Sequence, residues 1–190
     1  IGKKAYLKPG LGLAGGNLER DLSVLDYLTT QYKIESTQIK GWVKTSNSQK
    51  NWLYRKFISL DLDRRQNPKV ALLGLAYKEN TNSIRNSSAI HFLNQIREYN
   101  VYVHDPVVKL LNMSWLKQVD NSTEAVKNAD VLILATPWPE YQNLKLKTLH
   151  SLMKRPIIID PSSLLSNQNP SKYGFKWIRL GTTKHSESEP

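Results

Sequence analysis

The chain has 190 residues, 39% of them hydrophobic, enough for one well-buried core or a core with a smaller helical appendage. Cysteine is absent, which excludes disulfides, thiolate metal sites and a cysteine nucleophile; His91, His104, His150 and His185 fall at no metal-ligand spacing, so no metal is expected. Lys plus Arg (27) exceeds Asp plus Glu (16) by 11, which favours an anionic partner, and no apolar run approaches the roughly 20 residues that cross a bilayer. The first residues, IGKKAYLKPG, lack the apolar stretch of a signal peptide, and the expectation is a soluble, cytoplasmic protein.

Residues 1–16 hold Gly10, Gly12, Gly15 and Gly16 and read as an irregular loop. A helix follows from Asn17 to about residue 31, with Leu18, Leu22, Leu25 and Leu28 at spacings of three and four and Asn17 as its expected N-cap. A longer helix is expected over residues 37–62, where Ile39, Trp42, Val43, Trp52, Leu53, Phe57 and Leu60 supply an apolar face, with Asn67-Pro68 as the stop. Beyond Pro68 the pattern changes to short β-branched runs at 70–73, 101–103, 131–135 and 157–159, with a helix at 89–99 and a weaker last strand at 175–178. Strands alternating with helices predict an α/β fold with a parallel sheet and right-handed crossovers. The chain is expected to divide into a Gly-rich loop and helical segment (1–66), a sheet domain (67–182) and a disordered polar tail (183–190).

In an open parallel sheet, ligands bind beyond the C-terminal ends of the strands. After the first strand comes GLAYKENTNSIRNSS, which combines a close-approach Gly, the cations Lys78 and Arg85, and hydroxyls at a helix start, where free N–H groups favour anions. It reads as a phosphate site, against the alternative that Lys78 and Arg85 are solvated loop charges. A dinucleotide GxGxxG is missing, since only Gly74 follows the strand. Asp105 could accept from a ribose hydroxyl or simply form an Asp-Pro turn, which is the favoured reading, and Asp160 has the same two readings. Trp138 could stack on a base or anchor a loop. The Gly-rich loop running into Asn17 could hold an anion or sugar by its backbone, or be a tight connection. The basic residues are spread along the chain without interleaved aromatics, so nucleic acid is not the expected partner.

Two segments taken together are more specific. YLKPGLGLAGGNLERD resembles, without a gap, the pattern FLKAGPGFGGSCxPKD of the UDP-glucose/GDP-mannose dehydrogenase family, and GLAYKENTNSIRNSSA resembles that family's GLAFKxxTDDxRESPA. VHDP, ADVLILATPWPEY, IIIDPSSLL and GFKWIRLG resemble further family segments in the expected order, so the likeness runs from Tyr6 to Gly181. The resemblance implies the Rossmann-like UDP-sugar-binding domain of an NAD-dependent dehydrogenase, preceded by the end of a central helical dimerisation segment. It implies a homodimer, and NAD as cofactor on another domain that is bound at most weakly by this chain.

Residue by residue, Tyr6, Gly12, Gly15 and Lys78 match positions that contact the sugar nucleotide. Arg85 and Arg20 match positions on the NAD side, and Asp21 matches a carboxylate near the reacting water. Asn17 stands at the position of the catalytic cysteine, Arg20 at that of a lysine, Ala14 at the first Gly of a pair, Asn82-Ser83 at an Asp pair and Ser162 at an arginine. The family reaction removes two hydrides from a sugar C6 alcohol, with a thiolate holding the intermediate aldehyde as a thiohemiacetal between them. An amide cannot take that role. The expectation is therefore substrate binding without acid formation, or a degenerate sugar-nucleotide-binding or assembly domain.

Overall fold

The protein is described from a computed structural model over residues 10–110 and 113–182. Tyr6 and the polar tail at 183–190 lie outside the described residues.

Six parallel strands form one sheet: β1 (Lys69–Leu73), β2 (Asn100–His104), β3 (Leu116–Gln118), β4 (Val131–Leu134), β5 (Ile157–Asp160) and β6 (Lys176–Arg179), in the order β3-β2-β1-β4-β5-β6. The central runs VALL of β1 and VLIL of β4 are apolar at successive positions because helices cover both faces, the usual composition of a parallel strand. The expected α/β, Rossmann-like parallel sheet is thus present, and its strand order reverses between β1 and β4.

Helices α4 (Ser88–Gln95), α5 (Ser122–Val126) and α6 (Leu146–Leu152) connect strands. Ser87 sets the start of α4: its hydroxyl accepts from the Ala89 N–H at 3.2 Å and donates to the Leu75 carbonyl at 2.7 Å, tying the helix N-terminus to the end of β1.

Ahead of the sheet lie α1 (Asn17–Gln31), α2 (Thr37–Lys50) and α3 (Trp52–Ile58). The single helix expected over 37–62 is broken at Asn51 and ends at Ile58. The Asn51 side-chain oxygen bonds to the His91 ring at 2.8 Å and accepts from the Gln95 amide at 2.9 Å, so α4 holds this corner. Past the corner, α3 turns its Trp52, Leu53 and Phe57 into the same core as the sheet, where the Phe57 ring meets Phe92 and Tyr99 edge-on at 5.6 and 4.9 Å. That packing also explains why α4 stops at Gln95 and not at 99: the chain folds back to lay Tyr99 on Phe57. Gly16, not Asn17, is the N-cap of α1, and it makes no side-chain cap bond. The short edge strand β3, LKQ, carries no β-branched residue and is defined by its pairing with β2.

Candidate functional site

At the C-terminal end of the sheet, beside the point where strand order reverses, lies a cleft of about 790 Å³. Its walls come from the Gly-rich loop (Gly10, Gly12, Ala14), the turn after β1 (Tyr77, Lys78, Asn80), the start of α4 (Ser87, Ser88), the turn after β4 (Pro137, Pro139) and the turn after β5 (Ser162, Ser163).

Several residues at the strand ends prove to be fixtures of the walls. The Asp105 carboxylate is buried and accepts five N–H groups: Leu75 (2.6 Å), Ala76 (3.2 Å), Val107 (2.9 Å), Val108 (2.8 Å) and the Trp138 indole (3.0 Å). Both of its oxygens are thereby engaged, so the turn reading holds and a ribose is not its partner. Trp138, donating to Asp105 from a buried position, anchors its loop and has no face free for a base. Asp160 is likewise buried, accepting from the Leu164 and Leu165 N–H groups and the Trp177 indole; burial pushes its carboxyl above the usual carboxylate range despite those donors. Gly74, at φ +94°, presses on Thr136, and a Cβ there would come within 2.4 Å of the threonine Cβ. The Thr136 hydroxyl in turn donates to the Ala76 carbonyl at 2.7 Å. Gly74 thus packs the turn after β1 directly against the turn after β4.

The Gly-rich loop is strapped across the front of the cleft. The Leu13 N–H donates to the Ser46 hydroxyl of α2 at 2.9 Å, the Ser88 hydroxyl donates to the Leu11 carbonyl at 3.0 Å, and the Gly15 N–H donates to the Arg85 carbonyl at 3.1 Å. The Asn86 amide donates to the Gly15 carbonyl at 2.8 Å. Gly12 needs its missing side chain, since at φ +89° a Cβ would lie 2.5 Å from the Ser46 carbonyl oxygen.

Of the residues singled out from sequence, Gly12 and Lys78 line the cleft, with Gly15 buried just behind its wall against Tyr77. Lys78 is exposed, with no hydrogen bond or ion pair among the described residues. The Arg85 side chain lies across Gly16, at the entry to α1. Asn17 is the first, exposed residue of α1. Arg20 and Asp21 sit one turn on, exposed and paired to each other at 2.9 Å, outside the cleft walls. Two contributors were not singled out from sequence: Ser46, which meets the loop 33 positions away and had no signal, and Tyr77, which lies within the segment read as a phosphate site and lines the cleft. Among the described residues no cluster of His, Asp or Glu could hold a metal ion, and no helix is long and apolar enough to cross a membrane.

A doubly wound parallel sheet with a polar cleft at its crossover, fronted by a helix start and a Gly-rich strap, defines a Rossmann-like nucleotide-binding unit. The profile of the UDP-glucose/GDP-mannose dehydrogenase family, UDP binding domain, matches residues 71–167, and the chain belongs to that family. UDP-glucose 6-dehydrogenase of Rickettsia conorii is 29% identical over 184 residues, covering 93% of this chain and 43% of its own length. UDP-glucose 6-dehydrogenase TuaD of Bacillus subtilis is 26% identical across 100% of this chain and 42% of its own length. Among solved structures, UDP-D-ManNAc dehydrogenase of Pyrococcus horikoshii superposes with a TM-score of 0.76 at 25% identity, over 94% of this chain and 41% of that one. NDP-N-acetyl-D-galactosaminuronic acid dehydrogenase of Methanosarcina mazei shares the fold with a TM-score of 0.83 at 22% identity, over 98% and 42%. The chain therefore spans less than half the length of the relatives it matches.

Proposed function

We propose that this chain is the substrate-holding part of an NAD-dependent nucleotide-sugar dehydrogenase, and that by itself it binds a UDP-sugar without oxidising it. The observation that carries this reading is the convergence of Gly10–Ala14 and Tyr77–Asn80, two segments far apart in sequence, on one cleft at the crossover of the sheet. In the proposed complex the Lys78 ammonium and the N–H groups at the start of α4 meet the pyrophosphate, and the backbone of the Gly-rich loop meets the sugar. Tyr6 is assigned to the same ligand from the family pattern.

In a longer protein NAD would be carried on other residues, with Arg85 and Arg20 meeting it from this side. Asn17 offers a reacting aldehyde a hydrogen-bond donor and no nucleophile, while Asp21 would stand near the reacting water. The chemistry expected of such an assembly stops at the aldehyde or its hydrate. A second reading, a sugar-nucleotide-binding or assembly domain with no chemistry at all, is favoured by Asn17 and by Ser162, which supplies a hydroxyl where a bidentate phosphate-binding arginine is expected.

The exposed apolar side chains of α1 and α2, among them Leu18, Leu25, Tyr27 and Trp42, support self-association through this helical segment as a homodimer, and the cytoplasm is the proposed location. The division at residues 66–67 is proposed as the joint in sequence between the helical segment and the binding domain, with α3 packed into the core of the latter.

Isothermal titration of UDP, UDP-glucose and UDP-glucuronate into the chain tests the binding reading. Saturable heat is expected, weakened roughly tenfold or more by Lys78→Ala through loss of one charge-assisted contact. No heat with any of the three ligands, or equal affinity in the variant, would refute it.

A further inference from the structure

Gly15 and Lys78 belong to different segments, and one side chain stands between them. The Tyr77 ring lies against Gly15 so closely that a Cβ at that glycine would come 2.8 Å from Cε2 and 3.2 Å from both Cδ2 and Cζ. The Lys78 ammonium stands 5.6 Å from the centroid of the same ring, inside the roughly 6 Å over which a ring attracts a cation. The backbone on both sides of this contact is held by hydrogen bonds. The Tyr77 N–H donates to the Ser83 carbonyl at 3.0 Å, and Gly15 is bonded on both sides, to the Arg85 carbonyl and the Asn86 amide.

We propose that Tyr77 is a positioning residue for the anion site: its ring, wedged between Gly15 and Lys78, fixes the ammonium at the cleft wall and makes that placement depend on the seating of the Gly-rich loop. The proposal rests on the reading of the cleft as a phosphate site. A lysine side chain free to sample its rotamers loses that freedom when it grips an anion, and a ring that already holds the ammonium lowers this cost. The phenol hydroxyl has no part in the contact, so a phenylalanine would serve equally. At Gly15, where φ is +78°, a methyl group would displace the ring and separate the two elements.

Two measurements test it. The first needs no ligand: in the carbon–proton NMR spectrum, ring-current displacement of the Lys78 ε-methylene protons is expected in the unmodified chain and in Tyr77→Phe, and is expected to vanish in Tyr77→Leu and Gly15→Ala. The second is a double-mutant cycle read by UDP titration, with thermal unfolding of each variant alongside. Tyr77→Leu should weaken UDP roughly three- to tenfold. In the Lys78→Ala background the same change should cost less than about twofold, because the two residues act as one unit. Tyr77→Phe should restore binding. Additive losses, or a loss shared by Tyr77→Phe, would overturn the proposal while leaving the nucleotide reading intact. If the unmodified chain takes no UDP, the nucleotide reading fails, and the ring-current displacement alone then upholds the clamp by its presence or overturns it by its absence.

Discussion

In β1 the residues Val70 to Leu73 are fully buried, whereas α1 buries none of its 15 residues although Leu18, Val24, Leu25, Tyr27 and Leu28 lie on its surface. Both regions are apolar in sequence, but only the first finds partners within this chain. Covered on both faces by helices, the sheet forms one contiguous core that reaches as far back as α3 and Leu11. The α1–α2 pair is joined to that core by the strap bonds of the Gly-rich loop and by the Asn51 bonds to α4, while an ion pair at 2.7 Å between Lys50 and Glu19 links the two helices only to each other. An apolar groove of about 560 Å³, lined by Leu13, Leu18, Leu22 and Trp42 among others, runs between them. Stability should therefore be set by the sheet and α3, and assembly by the hairpin.

The sharpest way to break this contrast is to truncate matched apolar residues in the two regions. Phe57→Ala, at the junction of α3 with Phe92 and Tyr99, should cost about 4 kcal/mol in urea unfolding. Leu25→Ala in α1 should move the stability of a monomeric sample by no more than about 0.5 kcal/mol. Similar losses at both sites would mean that the hairpin is part of the folding unit.

Glycines give a second contrast. Gly74→Ala would force a Cβ into Thr136 at φ +94° and should destabilise by about 3 kcal/mol. Gly41 sits within α2 with nothing inside 4 Å of its missing side chain. There the same substitution should stabilise by up to about 1 kcal/mol. Thermal melts of the pair would decide, and the two shifts should have opposite signs.

The third contrast concerns pH and the sheet alone. Burial raises the folded-state pKa of Asp160 above the ordinary value of 3.8, so the ionised form is disfavoured in the fold. Its contribution to stability is full below the unfolded pKa and is lost as pH climbs through the raised folded value. Denaturation curves of the unmodified chain and Asp160→Asn, taken from acid upward, should diverge to the disadvantage of the unmodified chain over that window and run parallel above it. A constant difference throughout would show that Asp160 does not titrate differently in the two states.

The smallest effect on stability is expected at Trp42, 59% exposed on α2. Trp42→Gln should leave the melting temperature nearly unchanged yet shift sedimentation velocity toward monomer. An unaltered distribution would remove the hairpin from the proposed interface.

The strands were legible because β1, β2, β4 and β5 are apolar runs of β-branched and leucine residues bounded by turns, a local signal. Helix ends were less legible. The break at Asn51 arises from bonds to His91 and Gln95, which no window around residue 51 contains. At the candidate site, Lys78 and Gly12 stood out by motif, and the structure places both on the cleft. Asp105 and Trp138 each carried two readings. Choosing between them required the count of N–H donors on the carboxylate, four of them backbone groups that any sequence would supply.

The order of apolar runs, turn residues and charges in this chain is sufficient to determine an α/β fold with a parallel sheet and to locate a basic, hydroxyl-rich turn after its first strand, because those features depend on near neighbours in sequence. The tertiary structure decided which strand-end residues support the walls and which face the cleft, and it set Tyr77 between the Gly-rich loop and Lys78. It also left α1 uncovered while drawing α3 into the core. These outcomes depend on contacts between residues tens of positions apart, whose energies belong to the packed chain and to no segment of it.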